Sequence, residues 1–321
     1  MKVSVIIPVY NAENFIESTV EMLCKQTFTD IEIILVNDGS TDRSGEICNE
    51  LSEHYCNVRA IHLENSGVCV ARNKGVEVAQ GEYITFCDAD DIIDERLIEV
   101  LYNLAIECNC DMSIVKYATV FSDGKVKNGD STERIKKYAN NTEAIKAFFE
   151  GEIFSGVYTK LLSRELASKL LFEEGRKINE DRMYVFNALK TARAVCFKDE
   201  CLYRYIRRDV SSSNGHFKKE HFDCVYFAKK MEKIVERDFP EILSYAKANS
   251  LHTYFDMLKM MCIYNAQEEY SESFEEYVKI LRAQKLSFVK KHLTKNDFIK
   301  WIAIKINKKL FRLIINKFGR T

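Results

Sequence analysis

Apolar residues along the chain change period in a regular way. Val3 to Val9 is a short apolar run closed by Pro8-Val9-Tyr10-Asn11, which predicts a buried parallel strand ending in a turn. Phe15, Ile16, Val20, Leu23 and Cys24 then recur at helical spacing, and Ile31 to Val36 returns to an unbroken apolar run. The rhythm repeats: a helix carrying Ile47 and Leu51, a strand over Val58 to Leu63, a helix from Gly67 to Val78, and a strand over Tyr83 to Cys87. Strands alternating with helices predict an α/β fold around a mainly parallel sheet flanked by helices. Beyond Asp94 the pattern gives a helix with Leu97, Ile98, Leu101 and Leu104, a strand over Met112 to Phe121 and a polar excursion through Asn140. Helices are expected over 142–150, 163–170 and 180–191, with short strands at Ala194–Phe197 and Leu202–Ile206. Everything past His216 reads as helical, over 219–237, 240–266, 272–283 and 296–318. The domain boundary is therefore placed near 217, giving an α/β domain over 1–216 and a helical C-terminal extension over 217–321.

Composition narrows the class without naming a function. A chain of 321 residues with 46% hydrophobic and 30% charged residues is an ordinary soluble globular type, and two prolines argue against long disordered linkers. No secretion signal precedes Val3 and no apolar span is long enough to cross a bilayer. Eleven cysteines, most of them inside apolar patterns, read as reduced thiols in a cytoplasmic protein, and Cys108-Asn109-Cys110 is too tight for a zinc half-site. The formal net charge of −1 conceals an asymmetry: residues 281–321 hold twelve Lys or Arg against the single acid Asp297. An acidic body with a basic stretch suits a surface that the stretch visits better than a nucleic acid wrapped by the whole protein.

Chemistry concentrates at the strand ends. Tyr83-Ile84-Thr85-Phe86 runs into Cys87-Asp88-Ala89-Asp90-Asp91, and clustered carboxylates at the end of a buried strand repel one another unless a cation joins them. In an open α/β sheet the ligand crevice lies outside the carboxyl ends of the strands, so these acids and Asp38 are placed where a divalent ion and a phosphate would be held. A cap for the following helix is the alternative use of Asp90 or Asp91. Between the two acidic sites, Asn65-Ser66-Gly67 opens a helix whose free amides favour an anion, with Arg72 able to add a fork of donors.

The segments VSVIIPVYNAENFI, VNDGSTD, ENSGVCVARNKG and YITFCDADD, in this order, resemble the successive signatures of glycosyltransferase family 2, inverting enzymes with a GT-A nucleotide-sugar fold. The resemblance is strong over residues 1 to about 110, the nucleotide-binding half. It extends more loosely to about 215 through KINEDRMYVFNAL and YRYIRRDVSSSN, the acceptor-side half. It implies that Pro8, Tyr10, Asp38 and Arg72 belong to the nucleotide site, with Asp88 on the ribose and Asp90 on a Mn²⁺ or Mg²⁺ ion bridging the diphosphate. Glu180-Asp181 resembles the acidic pair that supplies the base, a role assigned to Asp181; read without the resemblance, Asp181 is an acid stabilising a helix start. Secondary candidates are Asn65, Gly67, Asp91, Glu180, Arg207, Ser211 and His216. Arg204, Arg207, Arg208 and Ser211 to Ser213 form a donor-rich segment suited to closing over phosphates, and His216 is either a late metal ligand or a bystander.

The implied activity is transfer of a sugar, expected from a UDP-sugar, to a glycan or lipid-linked glycan in bacterial surface-polysaccharide synthesis. The Gln-x-x-Arg-Trp segment of processive polymer synthases is absent. Two other classes compete: a sugar nucleotidyltransferase, whose Gly-rich phosphate loop after the first strand is missing, and a catalytically silent scaffold on the same fold. From Ile304 to Phe318, Ile306, Leu310, Phe311, Leu313, Ile314, Ile315 and Phe318 share one helical face opposite Lys305, Lys308, Lys309 and Arg312. With Trp301 at its start, the segment 296–321 either lies on an anionic membrane, making the protein peripheral on the cytoplasmic face, or packs its stripe on the body. No nucleic acid is expected as a partner, and a homo-oligomer through the helical region is open.

Overall fold

In the computed structural model, which describes residues 1–207 and 216–318, the alternating pattern becomes β1 (Val3–Val9), α1 (Ile16–Cys24), β2 (Ile31–Asp38), α2 (Ser44–His54), β3 (Val58–Leu63), α3 (Val68–Val78) and β4 (Tyr83–Phe86). Every residue of β2 is buried, and β1 is buried except at Pro8, because helices cover both faces of this part of the sheet. That double burial makes these strands continuous apolar runs rather than alternating ones. Close packing leaves its mark on α3, where a Cβ on Gly75 would collide with the Ile6 side chain of β1. A second close approach sits at Gly81, where a Cβ would lie 2.6 Å from the Ser4 backbone nitrogen.

The chain continues through β5 (Ile92–Ile93), α4 (Leu97–Glu107), β6 (Met112–Phe121), β7 (Val126–Lys127), β8 (Ile135–Lys137), α5 (Asn141–Glu150), β9 (Lys160–Ser163), α6 (Arg164–Ala167), α7 (Glu180–Thr191) and β10 (Val195–Arg207). Among the described residues the sheet has ten strands in the order β3-β2-β1-β4-β9-β6-β10-β5, with β7 beside β6 and β8 beside β10. The first four strands are parallel; β9 then enters antiparallel between β4 and β6, and β10 runs parallel to β6. Two expectations change here. The helix expected over 163–170 shrinks to α6, capped where Ser163 Oγ accepts the Leu166 N–H at 3.2 Å, because Lys160–Ser163 is drawn into the sheet. The two short strands at 194–197 and 202–206 are one strand, whose register shifts between Phe197 and Tyr203 to pass the polar Asp199 and Glu200.

The chain divides into two units, Met1–Ser211 and Ser212–Thr321. The second comprises α8 (Phe222–Asp238), α9 (Leu243–Ile263), α10 (Ser271–Ala283), α11 (Leu286–His292), α12 (Lys295–Ile306) and α13 (Lys308–Phe318) around a core that includes Phe255, Leu258, Phe274, Leu281, Trp301 and Phe311. The single helix expected over 296–318 is broken at Asn307, whose extended backbone (φ −160°, ψ 134°) ends α12. Thr294 caps α12 by accepting the Asp297 N–H at 3.1 Å. All eleven cysteines are free thiols. Among the described residues no helix is long and apolar enough to cross a membrane.

Candidate active site

Because β1, β2 and β4 run parallel in register, with Val9 opposite Asn37 and Ile6 opposite Phe86, Tyr10, Asp38 and the segment from Cys87 leave the sheet at one edge. β1 separates β2 from β4, so Asp38 stands two strand spacings, about 10 Å, from the Asp88 segment across the sheet. The Asp38 carboxylate is already engaged: Oδ1 accepts the Ser66 N–H and Oδ2 the Gly67 N–H, each at 2.8 Å. The two helix-start amides expected to await a ligand anion are thus filled by the protein's own carboxylate, and Asp38 belongs to this loop rather than to one clamp shared with Asp90. Gly39 lets the chain turn beneath the loop; its φ is +63°, and a Cβ there would lie 2.6 Å from the Asn65 backbone nitrogen. Gly67, at φ +94°, faces open space. Pro8 is half-buried within β1, whereas Tyr10 is 51% exposed at the edge and Asn65 is exposed.

Arg72, on α3, is buried and organises the acids. Its Nη2 donates to Asp88 Oδ1 at 3.1 Å and its Nη1 to Glu180 Oε1 at 3.0 Å, while the guanidinium lies 5.2 Å from the Phe172 ring centroid. Arg72 is therefore the counter-ion that joins the end of β4 to the start of α7. Asn179, in the left-handed region at φ +66°, turns the chain into α7 and sets Glu180 and Asp181 in its first turn. Tyr184, one turn further on, stacks on Phe172 at 4.0 Å and meets Phe86, the last residue of β4, edge-on at 5.7 Å. This aromatic cluster fixes the helix start at the sheet edge.

Burial pushes the Asp181 carboxyl above the ordinary carboxylate range, against the pull of Arg72 and of the Arg182 N–H that Oδ1 accepts at 2.6 Å. Burial and the neighbouring Asp181 charge push Glu180 up from 4.5 to about 7, Arg72 opposing. A carboxyl raised in this way holds its proton more tightly in the folded than in the unfolded chain, so its stabilising contribution is full below about pH 4.5 and lost as pH rises through about 7. Glu180→Gln removes that loss. Urea unfolding of the variant, relative to the parent, should therefore show stability rising between about pH 5 and pH 8; a pH-independent difference would refute the assignment.

The acids at 88–91 separate by role. Asp91, expected among the ligand-binding acids, is buried and sealed by the fold: Tyr203 Oη donates to Oδ2 and the Ile206 N–H to Oδ1, both at 2.8 Å. Burial, reinforced by Asp88, raises its carboxyl to about 8. Tyr203 also accepts the Asp88 N–H at 3.3 Å and stacks on Tyr158 at 4.3 Å, so β10 braces the whole segment. Asp88, with one oxygen on Arg72, and Asp90 are both half-buried. Among the described residues no group of three or more His, Cys, Asp or Glu side chains is arranged to hold a metal, so the acids do not converge into a cage. Mg²⁺ or Mn²⁺ on a nucleotide takes one or two carboxylates plus phosphate oxygens and water, a set to which Asp90 can supply the carboxylate.

Two residues at this site were not anticipated. Lys160, on β9, is fully buried; Nζ donates to Thr159 Oγ1 at 2.9 Å, and burial pushes the amine down to about 7 while the Asp181 charge opposes that shift. A lysine inside Val157-Tyr158-Thr159-Lys160-Leu161-Leu162 was the available signal, since a buried ammonium needs a nearby acid. Tyr203 was signalled by alternation, with Tyr203 and Tyr205 turned inward and Arg204 exposed. Of the remaining candidates, Arg207 is exposed at the end of β10, its guanidinium 5.6 Å from the Phe121 ring centroid, and His216 is exposed in the second unit. Arg208 and Ser211 to Ser213 lie outside the described residues.

Comparison with known proteins bears on this arrangement. The profile of "Glycosyl transferase family 2" matches residues 4–171. "Glycosyltransferase GlyG" of Streptococcus pneumoniae serotype 4 is 32% identical over 299 residues, covering 84% of this chain and 99% of its own length. "Uncharacterized glycosyltransferase EpsJ" of Bacillus subtilis strain 168 is 36% identical over 234 residues, covering 71% of this chain and 68% of its own. Among solved structures, S. aureus TarS 1-349 in complex with UDP-GlcNAc matches the fold with a TM-score of 0.74 over 100% of this chain and 92% of that one, at 21% identity.

Proposed function

The chain belongs to glycosyltransferase family 2, and from that membership and the strand-edge site we propose that it transfers one sugar from a UDP-sugar, with inversion, to a glycan or lipid-linked glycan acceptor during surface-polysaccharide assembly. The observation that carries this reading is the Asp88–Arg72–Glu180 link, which ties the acids after β4 to the helix start that bears Asp181. A donor diphosphate and an acceptor hydroxyl can then meet at one edge. The UDP-GlcNAc bound by the structural neighbour supports a uridine donor.

In this reading Pro8 and Tyr10 flank the base, and Asp38 serves by holding the 66–67 loop beside it. Asp88 contacts the ribose through the oxygen that Arg72 leaves available. Asp90 would hold Mn²⁺ or Mg²⁺, which when bound neutralises charge on the departing diphosphate. Asp181 takes the acceptor's hydroxyl proton as that oxygen bonds to the anomeric carbon and the bond to the diphosphate oxygen breaks, releasing UDP. Burial that raises its proton affinity strengthens it as a base, and the Arg72 charge opposes that rise.

A panel of UDP-GlcNAc, UDP-glucose and UDP-galactose with Mn²⁺, scored by released UDP, tests the proposal. One donor should be turned over slowly by water, and Asp90→Ala should remove the metal-dependent part of the rate without unfolding the protein. Metal-dependent turnover unchanged in Asp90→Ala would overturn the metal assignment, and pyrophosphate release from UTP and a sugar phosphate would overturn the transfer reading.

A further inference from the structure

The helices α12 and α13 carry two apolar stripes, and the helical core uses only one. Trp301, Ala303, Ile304, Phe311 and Ile315 are buried, and the indole N–H of Trp301 donates to the Leu281 carbonyl at 2.9 Å. Trp301 is thus a core residue, as in the packed alternative, rather than an interfacial anchor, and the face from Ile306 to Ile315 is split. Left outside are Ile299, Ile302, Ile306, Leu310 and Leu313, with exposures of 54, 39, 68, 37 and 66%. Ile299, Ile302 and Ile306 are spaced three and four apart on α12, and Leu310 and Leu313 continue the series across the break at Asn307. Five large aliphatic side chains exposed on consecutive helices exceed the scattered apolar residues of an ordinary surface.

The charge around them selects the occupant. Lys285, Lys290, Lys291, Lys295 and Lys305 are exposed, and two acids of this region are held by other lysines: Asp297 pairs with Lys300 at 2.8 Å and Glu275 with Lys308 at 2.6 Å. A protein partner is favoured by aromatic and arginine anchors, with lysine depleted at the interface. Here the surface is isoleucine, leucine and lysine, the composition that sits at the headgroup level of a bilayer, where aliphatic chains enter the acyl boundary and ammonium groups meet phosphates. We propose that the outward stripe of α12 and α13 docks this protein on an anionic membrane surface. The proposal concerns location and holds whichever sugar is transferred.

Because Trp301, Ile304, Phe311 and Ile315 belong to the core, deleting the segment would damage the fold, and substitutions confined to the outward stripe are the clean test. The full chain should co-sediment with phosphatidylglycerol vesicles at least about 10-fold more strongly than with phosphatidylcholine vesicles, and added salt should weaken the binding. Ile306→Glu/Leu313→Glu should lower vesicle binding by about 10-fold or more, while its thermal melt and its rate of donor hydrolysis in detergent-free buffer match the parent. Lys290→Gln/Lys291→Gln/Lys305→Gln should reduce binding to phosphatidylglycerol without changing the weak binding to phosphatidylcholine. Failure of the parent to sediment, or equal binding by the glutamate variant, would overturn the proposal. A parent that stays in the supernatant but is dimeric, with the glutamate variant monomeric, would instead assign the stripe to a second copy of this chain.

Discussion

Asp181→Asn is expected to lower sugar transfer by about 10²–10⁴-fold, the range that a positioned general base contributes. The amide keeps the shape of the side chain and accepts the Arg182 N–H as the carboxylate does, so the start of α7 should not move. Stability should hold or rise, since the carboxyl sits where burial disfavours its charge and the amide has none. UDP affinity should change little, because in the proposed role Asp181 acts on the acceptor hydroxyl and not on the nucleotide. Turnover at saturating donor, UDP titration calorimetry and a thermal melt together separate these outcomes. A second check is the acid limb of the pH–rate profile: with its carboxyl held above the ordinary range, the parent should lose activity on acidification at a higher pH than a free aspartate would impose. Full turnover in the asparagine variant would remove Asp181 from the chemistry.

The largest effect on stability is expected from Arg72→Met. Methionine replaces much of the volume of the side chain beside Phe172 but leaves Asp88 and Glu180 without their shared cation, and breaking a buried ion pair by removing one partner costs about 3–5 kcal/mol. Lowering the pH should shrink the deficit, because the orphaned carboxyls then take up protons and shed the charge that nothing balances. Arg72→Met/Glu180→Gln should recover part of the loss, the two substitutions coupling through one contact. Chemical denaturation across pH measures all three quantities. A deficit under about 1 kcal/mol, the value of an exposed pair, would show that Arg72 is not the hub of this site.

Tyr203 and Asp91 illustrate where reading the chain reaches its limit. Asp88, Asp90 and Asp91 are equivalent as sequence, three acids around one alanine, yet they end in three environments. Asp91 goes to Tyr203 and the Ile206 N–H, Asp88 to Arg72, and Asp90 stays half-buried beside them. What separates them is the arrival of donors from 16 to 115 positions away, and local patterns carry no information on such pairings. Asp38 shows the same limit from the other side: its place at a strand end is legible, while its use by the Ser66 and Gly67 amides depends on how the following loop folds back.

The periodicity of apolar residues was sufficient for the α/β alternation, the four parallel strands and the edge at which the acids gather, because burying a sheet on both faces forces continuous apolar runs and parallel strands deliver their ends to one side. It was sufficient, too, for the helical character of the second unit. Only the tertiary structure decided that β9 enters antiparallel, that Lys160 is buried near Asp181, and that one stripe of α12 and α13 is core while another faces out. Each of these depends on which distant surfaces meet. A side chain's charge state, partners and exposure are set by the neighbours that packing brings, whereas its tendency to form a strand or helix is set by the residues next to it in the chain.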